Sequence, residues 1–245
     1  YGELLIMNWD HQGASFLVAL HKKSGKEIWR QSRNEITSWA SPMIATYGDS
    51  PQVIVSATGR VRGYDLNTGK DLWACGGLSR NVVATPVYAN GFVFTGSSYN
   101  TRAFLAINLE KARGDITGTD AIAWSRNYDT PYVPSPILYG DSLCYLRHLQ
   151  GILTCVEPRT GRTQWGPQKL PGVRRVYASP VGAADRIYVV GRQGTTAVIK
   201  RSKRFEPLAS NRLNDVFGAS PAIVGNEILL RGEKHLYCIA DPQTR

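Results

Sequence analysis

The sequence predicts an all-β repeat protein, and three observations carry that expectation. Ser/Thr-Pro dipeptides recur inside apolar runs, as "ASPMIA", "ATPVYA", "PSPILY", "ASPVGA" and "ASPAIV", with prolines at Pro42, Pro86, Pro136, Pro180 and Pro221 in steps of 44, 50, 44 and 41. An aromatic follows a Thr-Gly-Lys type of turn at Trp29, Trp73, Trp124 and Trp165, with Phe205 where a fifth is due, in steps of 44, 51, 41 and 40. Runs of four to six residues rich in Val, Ile, Tyr and Phe fill each period between Gly, Asp and Asn, and helical spacing is sustained nowhere. The two marker series share a period and stretch at the same unit, so they report one repeat rather than chance.

Each unit opens with the Ser/Thr-Pro strand and turns at "YGDS", "YANG", "YGDS", "GAAD" or "VGNE". A second strand follows, such as "FVFTG", "SLCYL" or "RIYVV", then a turn and a third, such as "RGYDL", "FLAIN", "ILTCV" or "AVIKR". The Thr-Gly-Lys turn and the Trp strand close the unit, Gly supplying the positive-φ position of the turn. A repeated four-stranded meander of ~40 to 45 residues is the pattern of a β-propeller blade, and Trp29, Trp73, Trp124, Trp165 and Phe205 read as blade-docking side chains. A blade buries its faces only against neighbours, so blades stack.

The units run over residues 1–33, 34–77, 78–128, 129–170, 171–210 and 211–245, giving a single propeller domain over 1–245 with six blades in this chain. The first lacks an innermost strand and the last an outermost one, which leads to the expectation of upstream blades in a seven- or eight-bladed propeller. Tyr1 opens the chain with no signal segment ahead of it, as in a processed product or an excised piece. The third unit carries an insertion, "EKARGDITGTD" at 110–120, which reads as a solvated loop. Its oxygens on Asp115, Thr117, Thr119 and Asp120 lack the twelfth-position Glu of a Ca²⁺ loop.

Composition narrows the function classes. With 42% hydrophobic and 20% charged residues, no apolar stretch nears the ~18 to 20 residues of a membrane span. The formal charge is +10, but basic residues are dispersed, and the densest run, "KRSKRF" at 200–205, reads as a solvated face. No interleaved basic and aromatic pattern argues for nucleic acid. His11, His21, His148 and His235 share no metal-ligand spacing, and no nucleophile elbow, phosphate loop or dinucleotide fingerprint occurs. No catalytic residue and no metal ligand is assigned.

Four cysteines, Cys75, Cys144, Cys155 and Cys238, are too few for a disulfide-stapled scaffold. A turn at Leu149-Gln150 sets Cys144 opposite Cys155, within reach of a disulfide, with buried free thiols as the alternative. Such a bond would favour an exported protein.

The stretches "VRGYDLNTGKDLW" and "FLVALHKKSGKEIW", with "SP" on the next strand, resemble the repeat of the quinoprotein-like propellers. That family includes the pyrroloquinoline quinone dehydrogenases, whose Trp docking motif this is, and the lipoprotein of the outer-membrane β-barrel assembly machinery. "TPYVPSPILYGD" and "YASPVGAADRIYVVGRQGTT" also resemble exported bacterial proteins with this repeat. The resemblance covers essentially the whole chain and implies an exported, periplasmic or extracellular bacterial protein. For an enzyme it would also imply a vicinal Cys-Cys disulfide over the quinone, a Trp floor, and a Ca²⁺ site with Glu, Asn and a catalytic Asp. No adjacent cysteines exist and no Asp-Asn-Glu set can be matched, so no cofactor is expected, the quinone with Ca²⁺ being the alternative.

Arginines recur in the loops that link one blade to the next, at Arg33, Arg80, Arg126, Arg174, Arg175 and Arg212, with aromatics Trp39, Tyr132, Tyr177 and Phe217 following. Repetition would bring these residues to one face. Guanidinium forks beside aromatic walls suit a carboxylate, an anionic glycan or an acidic peptide. The alternative is that basic surface loops are ordinary and each aromatic caps its blade. The expected function is a non-catalytic binding or scaffold module that engages partner proteins or an anionic ligand. The alternatives are the propeller of a quinone-dependent dehydrogenase and an anionic-glycan binder.

Overall fold

Short β-branched and aromatic runs separated by turn residues fold here as their period dictates. The computed structural model describes residues 1–240, among which there are 23 strands and no helix. The chain divides into two compact units, each carrying three sheets.

Unit 1 comprises Tyr1–Thr130 with Arg159–Gly161. Its first sheet is β1 (Leu4–Trp9), β2 (Ser15–His21) and β3 (Glu27–Arg33). The second is β4 (Met43–Tyr47), β5 (Ser50–Ala57), β6 (Arg60–Asp65) and β7 (Asp71–Gly76). The third is β8 (Val87–Ala89), β9 (Phe92–Ser97), β10 (Ala103–Asn108) and β12 (Ile122–Arg126).

Unit 2 comprises Pro131–Pro158 and the chain from Arg162 onward. Its sheets are β13 (Ile137–Tyr139), β14 (Ser142–Leu146), β15 (Ile152–Val156), β16 (Thr163–Lys169); β17 (Val181–Ala183), β18 (Arg186–Val190), β19 (Thr195–Lys200), β20 (Pro207–Arg212); and β21 (Ala222–Val224), β22 (Glu227–Arg231), β23 (Leu236–Ala240). Apart from one strand added to the second sheet, every sheet is an antiparallel meander in chain order, the strand pattern of a propeller blade.

The insertion in the third repeat is not a solvated loop. β11 (Gly114–Asp115) pairs in parallel with β7, making a fifth strand on the preceding blade, with Gly114 opposite Trp73. Ile116 and Ala112 are buried in the same core as Trp73, Val93 and Ile107. The apolar residues within the polar run drive this docking, and Thr117 fixes it by accepting the Gly76 amide at 2.8 Å.

One register rule runs through the blades. Trp29 lies opposite Ala19, Trp73 opposite Gly63, Trp124 opposite Ala106 and Trp165 opposite Cys155, each beside a β-bulge. In the fifth blade that position belongs to Ala209, opposite Val198. Phe205 therefore does not occupy the fifth strand position: it precedes β20, in the turn, and packs on Trp165 at 5.4 Å between ring centroids. The "SKRF" turn has no glycine, which is why the sequence period misplaced its aromatic.

The Trp side chains bridge neighbouring blades inside each unit. Trp29 Nε1 donates to the Leu66 carbonyl at 2.9 Å and its ring covers Gly69, where an added Cβ would lie 2.5 Å from it. Trp124 covers Gly161 in the same way, the added Cβ lying 2.7 Å from the ring. In unit 2, Trp165 Nε1 donates to the Ser202 carbonyl at 3.0 Å. Trp73, whose partner turn is replaced by the insertion, turns inward and donates to Gln52 Oε1 at 2.9 Å.

The Ser/Thr-Pro pairs explain themselves structurally. The Ser41 amide donates to Thr85 Oγ1 at 3.3 Å in unit 1, and in unit 2 Ser135 donates to Ser179 Oγ and Ser179 to Ser220 Oγ, both at 2.9 Å. Each hydroxyl thus receives the amide of the preceding blade's equivalent residue, while the adjoining proline has no N–H to satisfy. Cys144 and Cys155 are register partners in the fourth blade and are disulfide-bonded, with Cα atoms 4.1 Å apart.

Candidate functional site

An antiparallel meander places the blade-linking loops at the same end of each sheet as the turn between its second and third strands. In unit 1 these segments are tied together. Gly59 donates its amide to Ser79 O at 2.9 Å, Arg80 its amide to Asn100 Oδ1 at 2.9 Å, Tyr99 its amide to Ser79 Oγ at 3.3 Å, and Trp39 its amide to Val82 O at 2.9 Å. The backbone of this loop end is therefore held by internal hydrogen bonds, leaving side chains to face water.

Those side chains are unusually apolar. Ile36, Trp39, Tyr99 and Tyr128 are 54%, 55%, 54% and 59% exposed on linking loops or second turns of unit 1. Arg80 is exposed beside them, and the Arg126 guanidinium lies 4.9 Å from the Tyr128 ring centroid, over its face. Large aromatic side chains at this exposure, beside arginine, have the composition of interface anchors rather than of a solvated surface.

Arg33 faces inward. Its Nε and Nη2 reach Asp10 Oδ1 and Oδ2 at 2.8 and 2.9 Å, with side chains 1% and 0% exposed, and Nη1 donates to the Tyr64 hydroxyl. Ser38 adds a hydrogen bond to Asp10 Oδ2 at 2.7 Å. Burial pushes the Tyr64 phenol well above its usual range, with the Arg33 charge opposing. This network pins the start of the first linking loop to the blade and presents no guanidinium to a ligand.

In unit 2 the corresponding end is basic. Arg174 and Arg175 are exposed in the loop between β16 and β17, and their carbonyls accept the Arg192 amide at 3.1 and 3.2 Å. The Arg192 guanidinium lies 5.5 Å from the centroid of the exposed Tyr177 ring. Tyr132 stacks on His148 at 4.7 Å, and Arg212 is exposed at the end of β20. Phe217 is buried, packed with Ala178, Val190 and Leu230.

Asp215 anchors this end as Asp10 does in unit 1. Its carboxylate accepts the amides of Val216 at 2.7 Å and His235 at 3.1 Å, and that of Lys234 at 3.2 Å through Oδ2. Burial pushes the carboxyl up, but these N–H donors outweigh it and hold it down at about 2.

Thus Arg80, Arg174, Arg175, Arg212, Trp39 and Tyr177 lie on the surface, Arg126 and Tyr132 are held against rings, and Arg33 and Phe217 point inward. Sequence reasoning missed Ile36, Tyr99, Tyr128, Arg192 and Arg231, three of which lie on or at the edge of second turns. The signal for those three is strand order, since a meander puts second turns at the linking-loop end, whereas Ile36 and Tyr128 lie on the linking loops themselves, close to Arg33 and Arg126 in sequence.

The quinone site that the sequence resemblance implies needs adjacent cysteines and a carboxylate-rich metal site. The bonded pair here joins residues 11 apart on neighbouring strands, and both are fully buried. Among the described residues, no three His, Cys, Asp or Glu side chains converge on a point that could hold a metal. The described residues do not supply that donor set. Among them, no helix is long and apolar enough to cross a membrane.

Among solved structures, the chain is similar to BamB from Moraxella catarrhalis at a TM-score of 0.55 and 13% identity, over 97% of this chain and 81% of that one. It is similar to the computationally designed Ika8 protein at 0.68 and 11%, over 93% and 67%. It is also similar to quinohemoprotein alcohol dehydrogenase from Comamonas testosteroni at 0.59 and 14%, over 99% of this chain but 45% of the enzyme. At these identities the likenesses show the fold alone. No curated protein sequence matches it. A family pattern, the PQQ-like repeat described as outer membrane protein assembly factor BamB, matches residues 13–241. The antiparallel four-stranded blades, the repeated Trp register and this match over most of the sequence show that the chain belongs to the BamB family of PQQ-like repeat β-propellers.

Proposed function

We propose that the chain is a non-catalytic binding module that docks a partner protein through the loop end of its blades. The observation that carries this reading is the set of exposed anchors in unit 1, Ile36, Trp39, Tyr99 and Tyr128, beside Arg80. Their loops are braced by internal hydrogen bonds, so little ordering entropy is lost when a partner covers them. The family description, an outer membrane protein assembly factor, supports a protein partner in the bacterial envelope. The buried disulfide supports an oxidising, exported location, periplasmic or extracellular.

Copurification from envelope extracts of the native host tests the reading. The triple variant W39A/Y99A/Y128A should lose a partner that wild type retains while remaining folded, with thermal unfolding lowered by no more than the loss of the Tyr128–Arg126 contact and partly exposed rings, because all three side chains are more than half exposed. The control K22A/K70A, on the turns at the opposite end of the sheets, should retain it. Equal recovery by wild type and triple variant would contradict the proposal.

A further inference from the structure

In unit 2, a cleft of about 510 Å³ lies between the second turns of the fifth and sixth blades, lined by Arg192, Val216, Gly218, Ala219, Arg231, Gly232 and Glu233. Arg192 enters it from the turn after β18, and Arg231 from the end of β22. The Arg231 guanidinium makes no hydrogen bond or ion pair among the described residues. Arg192 Nη2 meets Glu233 Oε1 at 3.4 Å, with side chains 41% and 62% exposed. That pair is long for a charge-assisted hydrogen bond and open to water, so it contributes little stability.

The surrounding charge is one-sided. Arg174 and Arg175 adjoin Arg192 through their carbonyls, and Lys234 follows Glu233 on the same turn. The nearby Asp215 carboxylate is occupied by the Val216, Lys234 and His235 amides. Among the described residues, Glu233 is therefore the one acidic side chain lining the cleft, set against two arginines.

We infer that this cleft binds carboxylates of an acidic peptide segment, and that Glu233 is a built-in competitor holding Arg192 until such a segment displaces it. The Arg192 fork, backed by the Tyr177 ring, offers a carboxylate two parallel N–H donors, and Arg231 offers a second anchor across the cleft. Peptide rather than glycan is favoured because the described lining of the cleft carries no aromatic ring, and the ring beside it, Tyr177, has the Arg192 guanidinium over its face. The assignment rests on the binding-module reading and adds the ligand chemistry of a second, separate site.

Calorimetric titration with N-acetylated, C-amidated hexaglutamate tests it, with the hexaglutamine peptide and oligogalacturonate as comparisons. Wild type should bind hexaglutamate saturably, more weakly as salt rises, and bind neither comparison as well. R192A should weaken binding roughly tenfold or more. E233Q should tighten it roughly two- to fivefold, the factor that corresponds to an exposed ion pair. R231A, at an exposed site that leaves the fold untouched, should weaken it without changing thermal unfolding.

Binding of oligogalacturonate in preference to the peptide, or affinities unaltered by both E233Q and R231A, would overturn the inference. So would absence of hexaglutamate binding by a well-folded sample. If the protein still captures its partner through Trp39, Tyr99 and Tyr128 in that case, the cleft assignment alone has failed.

Discussion

The Arg33–Asp10 pair illustrates what a buried charge does in this protein. Neither side chain is more than 1% exposed, and Ser38 and Tyr64 complete the hydrogen bonding, so removing one partner strands a charge in a low-dielectric interior. Asp10→Ala should cost about 3 to 5 kcal/mol in urea denaturation, and the double variant D10L/R33M should recover much of it. Equal instability of single and double variants would show that the hydrogen bonds to Ser38 and Tyr64 dominate. Asp215 acts through protons instead. Its folded pKa of about 2 lies below the ~3.9 of an unfolded Asp, so its stabilisation is present above pH 4 and is lost as the pH falls toward 2. Asp215→Asn should therefore flatten the fall of stability between pH 4 and 2, measured by denaturant titration at each pH.

At the scale of the element, the Trp-to-glycine seam makes a paired prediction. Gly25 and Gly69 occupy equivalent turns at φ of 69° and 73°, but a Cβ at Gly25 meets open space whereas one at Gly69 lies 2.5 Å from Trp29. Gly25→Ala should cost about 1 to 2 kcal/mol, the penalty of the left-handed backbone, and Gly69→Ala clearly more because the docked ring must also move. Equal costs would mean that Trp29 is not seated on that turn. The Cys144–Cys155 pair belongs to this scale as well. Both residues are fully buried, so alkylating reagents with mild reductant should leave them unlabelled until the fourth blade opens, as read by mass spectrometry.

Much of this was legible in sequence because a blade is written in short range. The Ser/Thr-Pro and Trp markers fixed the repeat, and a two-residue turn fixed the register of Cys144 with Cys155. What escaped depended on contacts between residues far apart in sequence, across a hairpin or between repeats. Nothing local to 110–120 shows that Ile116 has a pocket beside Trp73, and the burial of Arg33 hinges on Asp10, which precedes it by a whole hairpin. The fifth aromatic was misplaced because a glycine-free turn left only spacing as a guide.

At the scale of the whole molecule, the blades are scaffolding for loops. Inner strands are joined by Ser/Thr hydroxyls and outer strands by tryptophans, and this bracing holds exposed aromatics and arginines at one end of the sheets in unit 1. Family membership explains the scaffold, while in the function proposed above the loop residues decide what it binds. The most direct test of that claim is site-specific photo-crosslinking in the native host, with a photoreactive residue at Trp39, Tyr99 or Tyr128 and, as controls, at Lys22 or Lys70 on the opposite turns. The account predicts one discrete adduct shared by the three loop-end positions and absent from the controls. Adducts at Lys22 and Lys70 with none at Trp39, Tyr99 and Tyr128 would contradict it.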